Sequence, residues 1–321
     1  MSLALCLCTE VSVCVLRSLP VSLVTKPYWT YEGPKGVNFW YQDYPKCEST
    51  ANSAQSPINI VDTEATYQNL QPIVFAGYSE SQGIEWELSN NGHSVVASVI
   101  SGELLIFGGG FSDNYEAAQF HFHWGASSGQ GSEHLINGGA YPLELHIVHR
   151  GANYKSVSEA AVQPNGLAVL GFMFEISPID NSNLDPIINN LANIVNPGDK
   201  KALPPVTLRD FLPRSLTDFY RYSGSLTTPG CYESVTWTVF RNTIPISESQ
   251  LQKFRQVKSN DRNQTTNEYM PMVNNFRPVQ PINSRVVFAN FKLTPDAAVG
   301  LRGNLVICSL CLLVLSIFSA V

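Results

Sequence analysis

One stretch carries the strongest structural signal in the chain and reads Gln119-Phe120-His121-Phe122-His123-Trp124. Polar and aromatic side chains alternate along it, which is typical of a β-strand with one face in a core. The alternation places Gln119 beside His121 and His123 on one face and the three aromatic side chains on the other. The stretch therefore predicts a strand that presents two imidazoles over an aromatic base.

A second stretch, residues 143–149, reads Leu-Glu-Leu-His-Ile-Val-His and alternates in the same way. Glu144, His146 and Val148 share one face, with Leu145, Ile147 and His149 opposite. If the two strands pair, a third imidazole joins the first two. Three imidazoles with an open fourth position are the arrangement of a catalytic zinc site, and Gln119 and Glu144 are placed to hold ring nitrogens that do not bind the metal. A His-x-His pair alone is more often an ordinary half-buried pair.

The composition excludes two classes of protein. The chain has 321 residues, 44% of them hydrophobic, and a net charge of −6. That content is enough for a folded core, so the chain as a whole is not disordered. Only 14% of residues are charged, against about 25% in an average globular protein, so a nucleic-acid partner is not expected.

The body of the chain, from about residue 27 to 295, contains no linker, repeat or low-complexity segment and is expected to form one domain. Its strand-like stretches are short, rich in β-branched or aromatic residues, and separated by Gly, Asn and Pro: Ser94 to Ile100, Glu103 to Phe107, Glu116 to Trp124, Leu143 to His149, Leu167 to Glu175, Ser234 to Phe240 and Arg285 to Ala289. Helical signals are few and peripheral, and the best are at Asp185 to Val195 and Ser247 to Val257. The sequence therefore predicts a mostly β (α+β) fold around one large, twisted, mainly antiparallel sheet with small peripheral helices.

The two ends are expected to be targeting segments. Residues 1–25 resemble a secretory signal peptide, although Glu10 and Arg17 interrupt the apolar run, so a misplaced start or an extended leader is the alternative. Residues 296–321 resemble a glycosylphosphatidylinositol attachment signal, with Asp296 or Ala297 as the attachment residue and a single-pass anchor as the alternative. The domain is then residues 26–295, and Asn263 begins the one glycosylation sequon.

Further motifs carry a family resemblance that covers Tyr28 to Ala289. They include Gln55-Ser56-Pro57-Ile58-Asn59-Ile60, Asn90-Asn91-Gly92-His93, Ser132-Glu133-His134, Gly166-Leu167-Ala168-Val169-Leu170-Gly171, Gly224-Ser225-Leu226-Thr227-Thr228-Pro229 and Arg277-Pro278-Val279-Gln280-Pro281. With the two histidine stretches, they resemble the α-class carbonic anhydrases of the secreted or membrane-tethered kind. The resemblance implies the fold of that family and a carbonate dehydratase (EC 4.2.1.1), in which zinc-bound hydroxide converts carbon dioxide to bicarbonate and a proton.

The resemblance also implies roles for particular residues. His121, His123 and His146 match the Zn²⁺ ligands, with Gln119, Glu144 and a backbone carbonyl near Asn275 as their supports. Thr227 and Glu133 match a hydrogen-bonded catalytic pair, and His93 matches the proton shuttle, for which a solvated surface histidine is the alternative. His134 and His149 are expected to be buried, hydrogen-bonded supports. The substrate is expected to lie beside Thr227, Thr228, Val148, Val169, Leu226 and Trp237, and Tyr31 and Asn91 match the polar wall.

The resemblance pairs Cys47 with Cys231, the two cysteines outside the terminal segments, in a disulfide; two free thiols are the alternative. It implies a monomer on the extracellular face of the plasma membrane, held by a lipid anchor, with bicarbonate transporters as candidate partners. A catalytically silent binding or matrix protein on the same fold is the competing hypothesis, and hydrolysis of esters by the same hydroxide is a third.

Overall fold

A computed structural model describes residues 27–292. Residues 1–25, expected to be a leader, and the C-terminal segment with Asp296 and Ala297 lie outside the described residues. Between residues 27 and 292, no helix combines the length and the apolar character needed to span a bilayer.

One large sheet organises the described part of the chain. Sixteen strands form this sheet and two small two-stranded sheets: β1 (Asn59–Ile60), β2 (Thr66–Tyr67), β3 (Ile73–Ala76), β4 (Glu85–Asn90), β5 (Val95–Ser101), β6 (Leu105–Gly108), β7 (Tyr115–Trp124), β8 (Leu135–Ile136), β9 (Leu143–Gly151), β10 (Leu167–Ser177), β11 (Lys200–Ala202), β12 (Phe219–Gly224), β13 (Val235–Ser247), β14 (Lys258–Arg262), β15 (Tyr269–Pro271) and β16 (Phe288–Ala289). The strand order in the large sheet is β11-β4-β5-β7-β9-β10-β13-β12-β16-β2; β6 also pairs with β7, and β3 pairs with β6. The predicted mostly β fold around one large sheet is confirmed.

Most neighbouring strands of the sheet are antiparallel, as expected. In the centre, β7 pairs with β9 and β9 pairs with β10 in this way. The pairing of β10 with β13 is parallel, and so is the pairing of β16 with β2. A parallel pair requires a long crossover connection. The chain between β10 and β13 supplies it, with one short α-helix, three 3-10 turns and the strands β11 and β12.

The central strands separate two cores. Phe120, Phe122 and Leu145 belong to the larger apolar cluster on one face of the sheet. Val148 and Trp237 belong to a smaller cluster on the opposite face. The alternation of β7 and β9 thus buries aromatic and aliphatic side chains in the larger core and turns the polar side chains toward the smaller one.

The described residues contain four α-helices, all shorter than the two that were expected: α1 (Trp40–Asp43), α2 (Val157–Ala160), α3 (Asp185–Ile188) and α4 (Glu248–Phe254). The expected helix from Asp185 to Val195 ends after α3 and is followed by a separate 3-10 turn, Leu191–Asn193. The Asn190 side chain donates to the Pro186 carbonyl at 2.9 Å and so competes with the backbone for that acceptor. In contrast, α4 begins at a capping box formed by Ser247 and Gln250, close to the expected start.

The expected strand from Arg285 to Ala289 is wrong over its first three residues, because only β16 is extended and paired. The Arg285 amide bonds to the Ile282 carbonyl at 3.2 Å, and its side chain donates to the Ile282 and Pro281 carbonyls. These bonds close a turn, and a turn cannot continue the sheet ladder.

Candidate metal centre

The register between β7 and β9 assembles the three histidines. His121 lies directly opposite His146 in the antiparallel pair, and His123 lies two residues further along β7. The ring centroids of His121 and His123 are 5.0 Å apart, and the His146 centroid is 5.2 and 4.6 Å from them, respectively. One ligand atom from each histidine lies within 4.8 Å of the other two. The predicted ligand set is therefore brought together on one face of the sheet.

Each of the three rings is held through one nitrogen by an acceptor on the protein. These contacts join His121 Nδ1 to Gln119 Oε1 at 2.9 Å, His123 Nδ1 to the Asn275 carbonyl at 2.7 Å and His146 Nε2 to Glu144 Oε1 at 2.7 Å. Because a carbonyl or carboxylate oxygen only accepts, each of these nitrogens carries the proton. The other nitrogens, His121 Nε2, His123 Nε2 and His146 Nδ1, are left as acceptors.

The free nitrogens fit a cation. His123 Nε2 and His146 Nδ1 are 3.1 Å apart, although neither has a proton to donate to the other when both rings are neutral. Burial lowers the pKa of both His121 and His123, which favours the neutral rings. Two nitrogen ligands of a tetrahedral zinc ion lie about 3.3 Å apart, given zinc–nitrogen distances of about 2.0 to 2.1 Å. The donor set and the spacing therefore suit Zn²⁺.

Glu144 is the fully buried centre of the supporting network. Its Oε1 accepts from His146 Nε2 and from His134 Nδ1, both at 2.7 Å, and its Oε2 accepts the amides of Glu133 and His134 at 2.8 and 2.9 Å. Burial alone would raise the pKa of Glu144, but the two imidazoles lower it well below its usual range through charge and hydrogen bonds. His134, Glu144 and His146 form a second cluster with metal-binding spacing. Their mutual hydrogen bonds already occupy the facing atoms.

Glu133 lies at the edge of the histidine cluster. Its Oε1 accepts the Arg277 amide at 2.8 Å. Its Oε2 is 3.5 Å from His123 Nε2 and 3.8 Å from His146 Nδ1, and it has no hydrogen-bond partner within residues 27–292. Thr227 is buried, with 5% of its surface exposed, but it does not make the expected hydrogen bond to Glu133 in this structure. A buried carboxylate oxygen beside two of the imidazoles can thus accept a further hydrogen bond.

The expected apolar wall is assembled by strand register. Val169 lies opposite Val148 in the β9/β10 pair and opposite Trp237 in the β10/β13 pair. The Trp237 ring packs edge-on against His146 with centroids 4.8 Å apart. Leu226 packs against the same cluster from the loop between β12 and β13. The four residues come from different parts of the chain and form one surface beside the histidines.

That loop, residues 225–234, also carries the other expected substrate contacts and the disulfide. The Thr228 carbonyl accepts the Cys231 amide at 2.9 Å. Cys47 and Cys231 are bonded across 184 positions, and their pairing confirms the expected disulfide. Gln55 Nε2 donates to the Cys231 carbonyl at 3.1 Å and Arg277 Nη2 to the Cys47 carbonyl at 2.9 Å. The loop with Thr227 is therefore fixed at one end by a covalent bond and by buried side chains.

His93 lies in the turn between β4 and β5. Its ring stacks on Trp29, with centroids 3.7 Å apart and planes 8° apart. Burial lowers the pKa of His93 to about 4, below the value near 6.5 that an exposed histidine has. Asn91 Oδ1 accepts the amides of His93 and Ser94 at 2.9 and 2.7 Å, so this residue shapes the turn. His93 is thus held against Trp29 in the neutral form.

His134 and His149 are both buried and hydrogen-bonded, but on different faces of the sheet. His134 links Glu144 to the Tyr222 hydroxyl, with 2.7 Å on each side. His149 bonds to the Tyr78 hydroxyl at 2.5 Å and to the Ala168 carbonyl at 3.2 Å. Its β9 neighbour Ile147, two residues away on the same face, lies in the larger core. His134 is therefore bonded into the network that holds the three histidines, whereas His149 is bonded within the opposite core.

Sequence reasoning missed several residues that shape this centre. Trp29 covers His93, Arg277 binds Glu133 through its amide, and Tyr222 holds His134 while donating to Ser56 Oγ at 2.9 Å. Arg277 and Ser56 stand in motifs that the sequence offered, so they could have been candidates. Trp29 and Tyr222 carry no local signal, because only packing brings them to the site.

Comparisons with known proteins agree with this geometry. A family model described as eukaryotic-type carbonic anhydrase matches residues 35–291. The chain is 37% identical to mouse carbonic anhydrase 15 over 300 residues, which cover 89% of each chain. It is 39% identical to human carbonic anhydrase 6 over 82% of this chain and 83% of the relative, and 37% identical to rat carbonic anhydrase 4 over 73% and 74%.

Proposed function

Because the chain belongs to the eukaryotic-type carbonic anhydrase family, we propose that it hydrates carbon dioxide reversibly at a zinc ion held by His121, His123 and His146. Family membership makes the chain a carbonate dehydratase, with carbon dioxide and bicarbonate as its substrates. The observation that carries the zinc proposal is the set of three unprotonated ring nitrogens that face one another on a buried face of the sheet.

Zinc in a three-histidine site supplies Lewis acidity that makes water reactive at neutral pH, an effect for which carbonic anhydrase is the standard example. The protein's own residues supply orientation. Gln119, the Asn275 carbonyl and Glu144 fix the tautomer and the direction of the three rings, and the Glu144 charge strengthens His146 as a ligand. Val148, Val169 and Trp237 provide an apolar surface for carbon dioxide beside the rings.

Two further groups are proposed to move protons. Glu133 Oε2, which is buried and has no hydrogen-bond partner within residues 27–292, would accept a hydrogen bond from the Thr227 hydroxyl, and the Thr227 oxygen could then accept one from the attacking oxygen and orient it. His93 would carry the surplus proton from the site to solvent. Tyr31 and Asn91 would line its path, and Thr228 would contact the substrate beside Thr227.

Zinc content and activity test the proposal together. The purified protein is expected to contain one zinc ion per chain, measured by atomic absorption, and to hydrate carbon dioxide in a stopped-flow assay. His121→Ala should lose the zinc and lower the hydration rate more than about 100-fold, since even outer supports of a ligand are worth about 10–100-fold in affinity or activity. His149→Gln, on the opposite face of the sheet, is the matched control and should retain both.

A folded protein without zinc and without hydration activity would overturn the proposal and favour a silent binding protein. The complete ligand set in this chain argues against that alternative. Ester hydrolysis, if present, should be lost in parallel with hydration in His121→Ala, because both would use the same centre.

We also propose that the protein is a monomer tethered by a lipid anchor to the extracellular face of the plasma membrane, with residues 26–295 as the mature domain. The family match over residues 35–291 supports that domain, and the Cys47–Cys231 disulfide supports an oxidising compartment. Asn263 is exposed, in the turn between β14 and β15, which supports glycosylation there. Bicarbonate transporters of the same membrane are the proposed partners.

Two treatments of the cell-surface protein test this location. Phosphatidylinositol-specific phospholipase C is expected to release it, whereas retention would favour a transmembrane anchor. Peptide N-glycosidase F should lower the apparent mass of the wild type and leave Asn263→Gln unchanged. An untreated mass equal to that of Asn263→Gln would contradict glycosylation at this site.

A further inference from the structure

Asn275 contacts both a proposed zinc ligand and the turn that carries the proposed proton shuttle. Its backbone carbonyl accepts from His123 Nδ1 at 2.7 Å. Its side-chain Nδ2 donates to the His93 carbonyl at 3.0 Å. Only 2% of its surface is exposed, so these contacts are shielded from water. One buried residue therefore joins the metal centre to the His93 turn, which we define as residues 91–94.

The side-chain amide of Asn275 is also bonded to β7. Nδ2 donates to the Phe122 carbonyl at 3.2 Å, and Oδ1 accepts the Trp124 amide at 2.8 Å. Phe122 lies between two of the proposed zinc ligands in the sequence, so these bonds hold the strand at the metal centre. Because a primary amide has two donor hydrogens, the contacts to His93 and Phe122 use both and fix the direction of the group.

Ser94 makes a second connection between the His93 turn and the same carbonyl. Its Oγ donates to the Phe122 carbonyl at 2.7 Å and accepts the Phe122 amide at 3.3 Å. Ser94 is buried, with 5% of its surface exposed. The pairing of β5 with β7 begins at Val96, which lies opposite His121. The His93 turn thus lies beyond this ladder, and side-chain bonds connect it to β7.

Other hydrogen bonds shape the turn or connect it to another strand. Asn91 Oδ1 accepts the amides of His93 and Ser94 at 2.9 and 2.7 Å, within the turn itself. The Gly92 carbonyl accepts the Asn260 amide at 2.9 Å, which connects the turn to β14. The place of the His93 backbone relative to the metal ligands is therefore set by the bonds to β7.

We propose that the Asn275 side chain is a positioning group for proton transfer, because it holds the His93 turn against the strand that carries the metal ligands. The inference rests on the proposed shuttle role of His93. Proton transfer needs its groups at a defined distance, and a displacement of about 1 Å can cost about 100-fold in rate. Substitution at position 275 keeps the backbone carbonyl that holds His123, so the effect of the side chain can be measured separately.

The first test is the hydration kinetics of Asn275→Ala. Its zinc content should stay at one ion per chain, and kcat/KM, which reports the conversion of carbon dioxide, should stay close to the wild-type value. In dilute buffer kcat also includes the return of the surplus proton to solvent, and it should fall at least about tenfold. Added imidazole, which carries the proton in place of His93, should restore kcat. In a His93→Ala background, Asn275→Ala should cause no further fall.

Asn290→Ala is the matched control. Asn290 Oδ1 accepts the Phe219 amide at 2.8 Å and its Nδ2 donates to the Thr217 carbonyl at 2.6 Å, so this variant also removes a bridging amide. Its partners lie at the start of β12 or just before it, and not on β5 or β7. The control should keep the wild-type kcat and kcat/KM.

A second readout does not depend on zinc. The amides of the His93 turn should exchange with solvent faster in Asn275→Ala than in the wild type, measured by NMR on labelled protein, because the turn opens more easily without its bond to Asn275. Asn290→Ala should leave these exchange rates unchanged. Ser94→Ala, a smaller change, should raise the same rates to a lesser degree.

Unchanged kcat and unchanged amide exchange in Asn275→Ala would overturn this inference and leave the proposed function standing. Loss of zinc, or an equal fall of kcat and kcat/KM, would also overturn it, because the side chain would then act on the metal ligand His123. If Asn275→Ala does not fold, unchanged exchange in Ser94→Ala decides against the inference in the same way. A wild type without zinc and without hydration activity would contradict the proposed function and this inference with it.

Discussion

Glu144 is the single residue on which two imidazoles depend. It accepts from His146, a proposed zinc ligand, and from His134, and it receives two backbone amides. A glutamine keeps the shape of the side chain but removes the charge and replaces one acceptor oxygen with a donor. One of the four hydrogen bonds must then be lost, and His146 becomes a weaker ligand.

We therefore expect Glu144→Gln to lower the affinity for zinc by about 10–100-fold, measured by competition with a chromophoric chelator. Glu175→Gln is the matched control, because Glu175 is exposed on the neighbouring strand β10. Equal affinity in both variants would show that Glu144 does not support the ligand.

The pKa of His93 does not suit the proton-carrying role proposed for this residue. A proton carrier works best when its pKa lies near the working pH, whereas burial lowers the pKa of His93 to about 4. Trp29 covers one face of its ring. Removal of that cover should return the imidazole to solvent.

Trp29→Ala is expected to raise the pKa of His93 from about 4 toward 6.5, measured by NMR titration of the ring protons. If His93 is the shuttle, turnover near pH 7 should rise with it. Tyr41→Ala, which removes an exposed aromatic ring from the same N-terminal region, should leave the pKa unchanged. A pKa that stays near 4 in Trp29→Ala would mean that other contacts bury the ring.

At the scale of elements, the disulfide links the N-terminal 3-10 turn Pro45–Cys47 to the loop between β12 and β13. Without the disulfide, the denatured chain is no longer restrained by a closed loop of 184 positions, so its conformational entropy rises and the folded state is less favoured. The double variant Cys47→Ala/Cys231→Ala should lose about 2–5 kcal/mol of unfolding free energy, measured by chemical denaturation. The wild type denatured with a reductant should show the same loss, and no change in either experiment would contradict this account.

The whole molecule should lose stability in mild acid. Burial lowers the pKa of His149 to about 4, whereas an unfolded histidine titrates near 6.5. Between these pH values the unfolded chain binds a proton that the folded chain does not, so the free energy of unfolding falls as the pH falls. His93 has a lowered pKa as well and acts in the same direction.

Over that interval His149 should account for up to about 3 kcal/mol of the lost unfolding free energy. His149→Gln should show a shallower fall than the wild type in urea denaturation from pH 7 to pH 4. Parallel pH profiles for the two proteins would exclude His149 as a cause.

Much of the fold was accessible from local patterns, and the failures have physical causes. The stretches that became β7, β9 and β10 alternate or run apolar over many residues, so their strands were predicted within a few residues. Strands such as β4 and β12 were missed, because charged and polar residues interrupt them. Their extended form depends on neighbours in the sheet. The prediction of a strand beginning at Arg285 was wrong, because hydrogen bonds from the Arg285 side chain to nearby carbonyl groups close a turn there.

The amino-acid sequence was enough for the local chemistry: which side chains share a face of β7 and of β9, which histidines are near a Gln or Glu, and which family the chain resembles. Periodicity acts over a few residues, so a sequence carries it directly. Tertiary packing was needed to bring His121 opposite His146, to place Trp29 over His93, and to leave Glu133 Oε2 without a hydrogen-bond partner in the described part of the chain. Those facts join residues far apart in the chain, and they depend on strand register and side-chain packing.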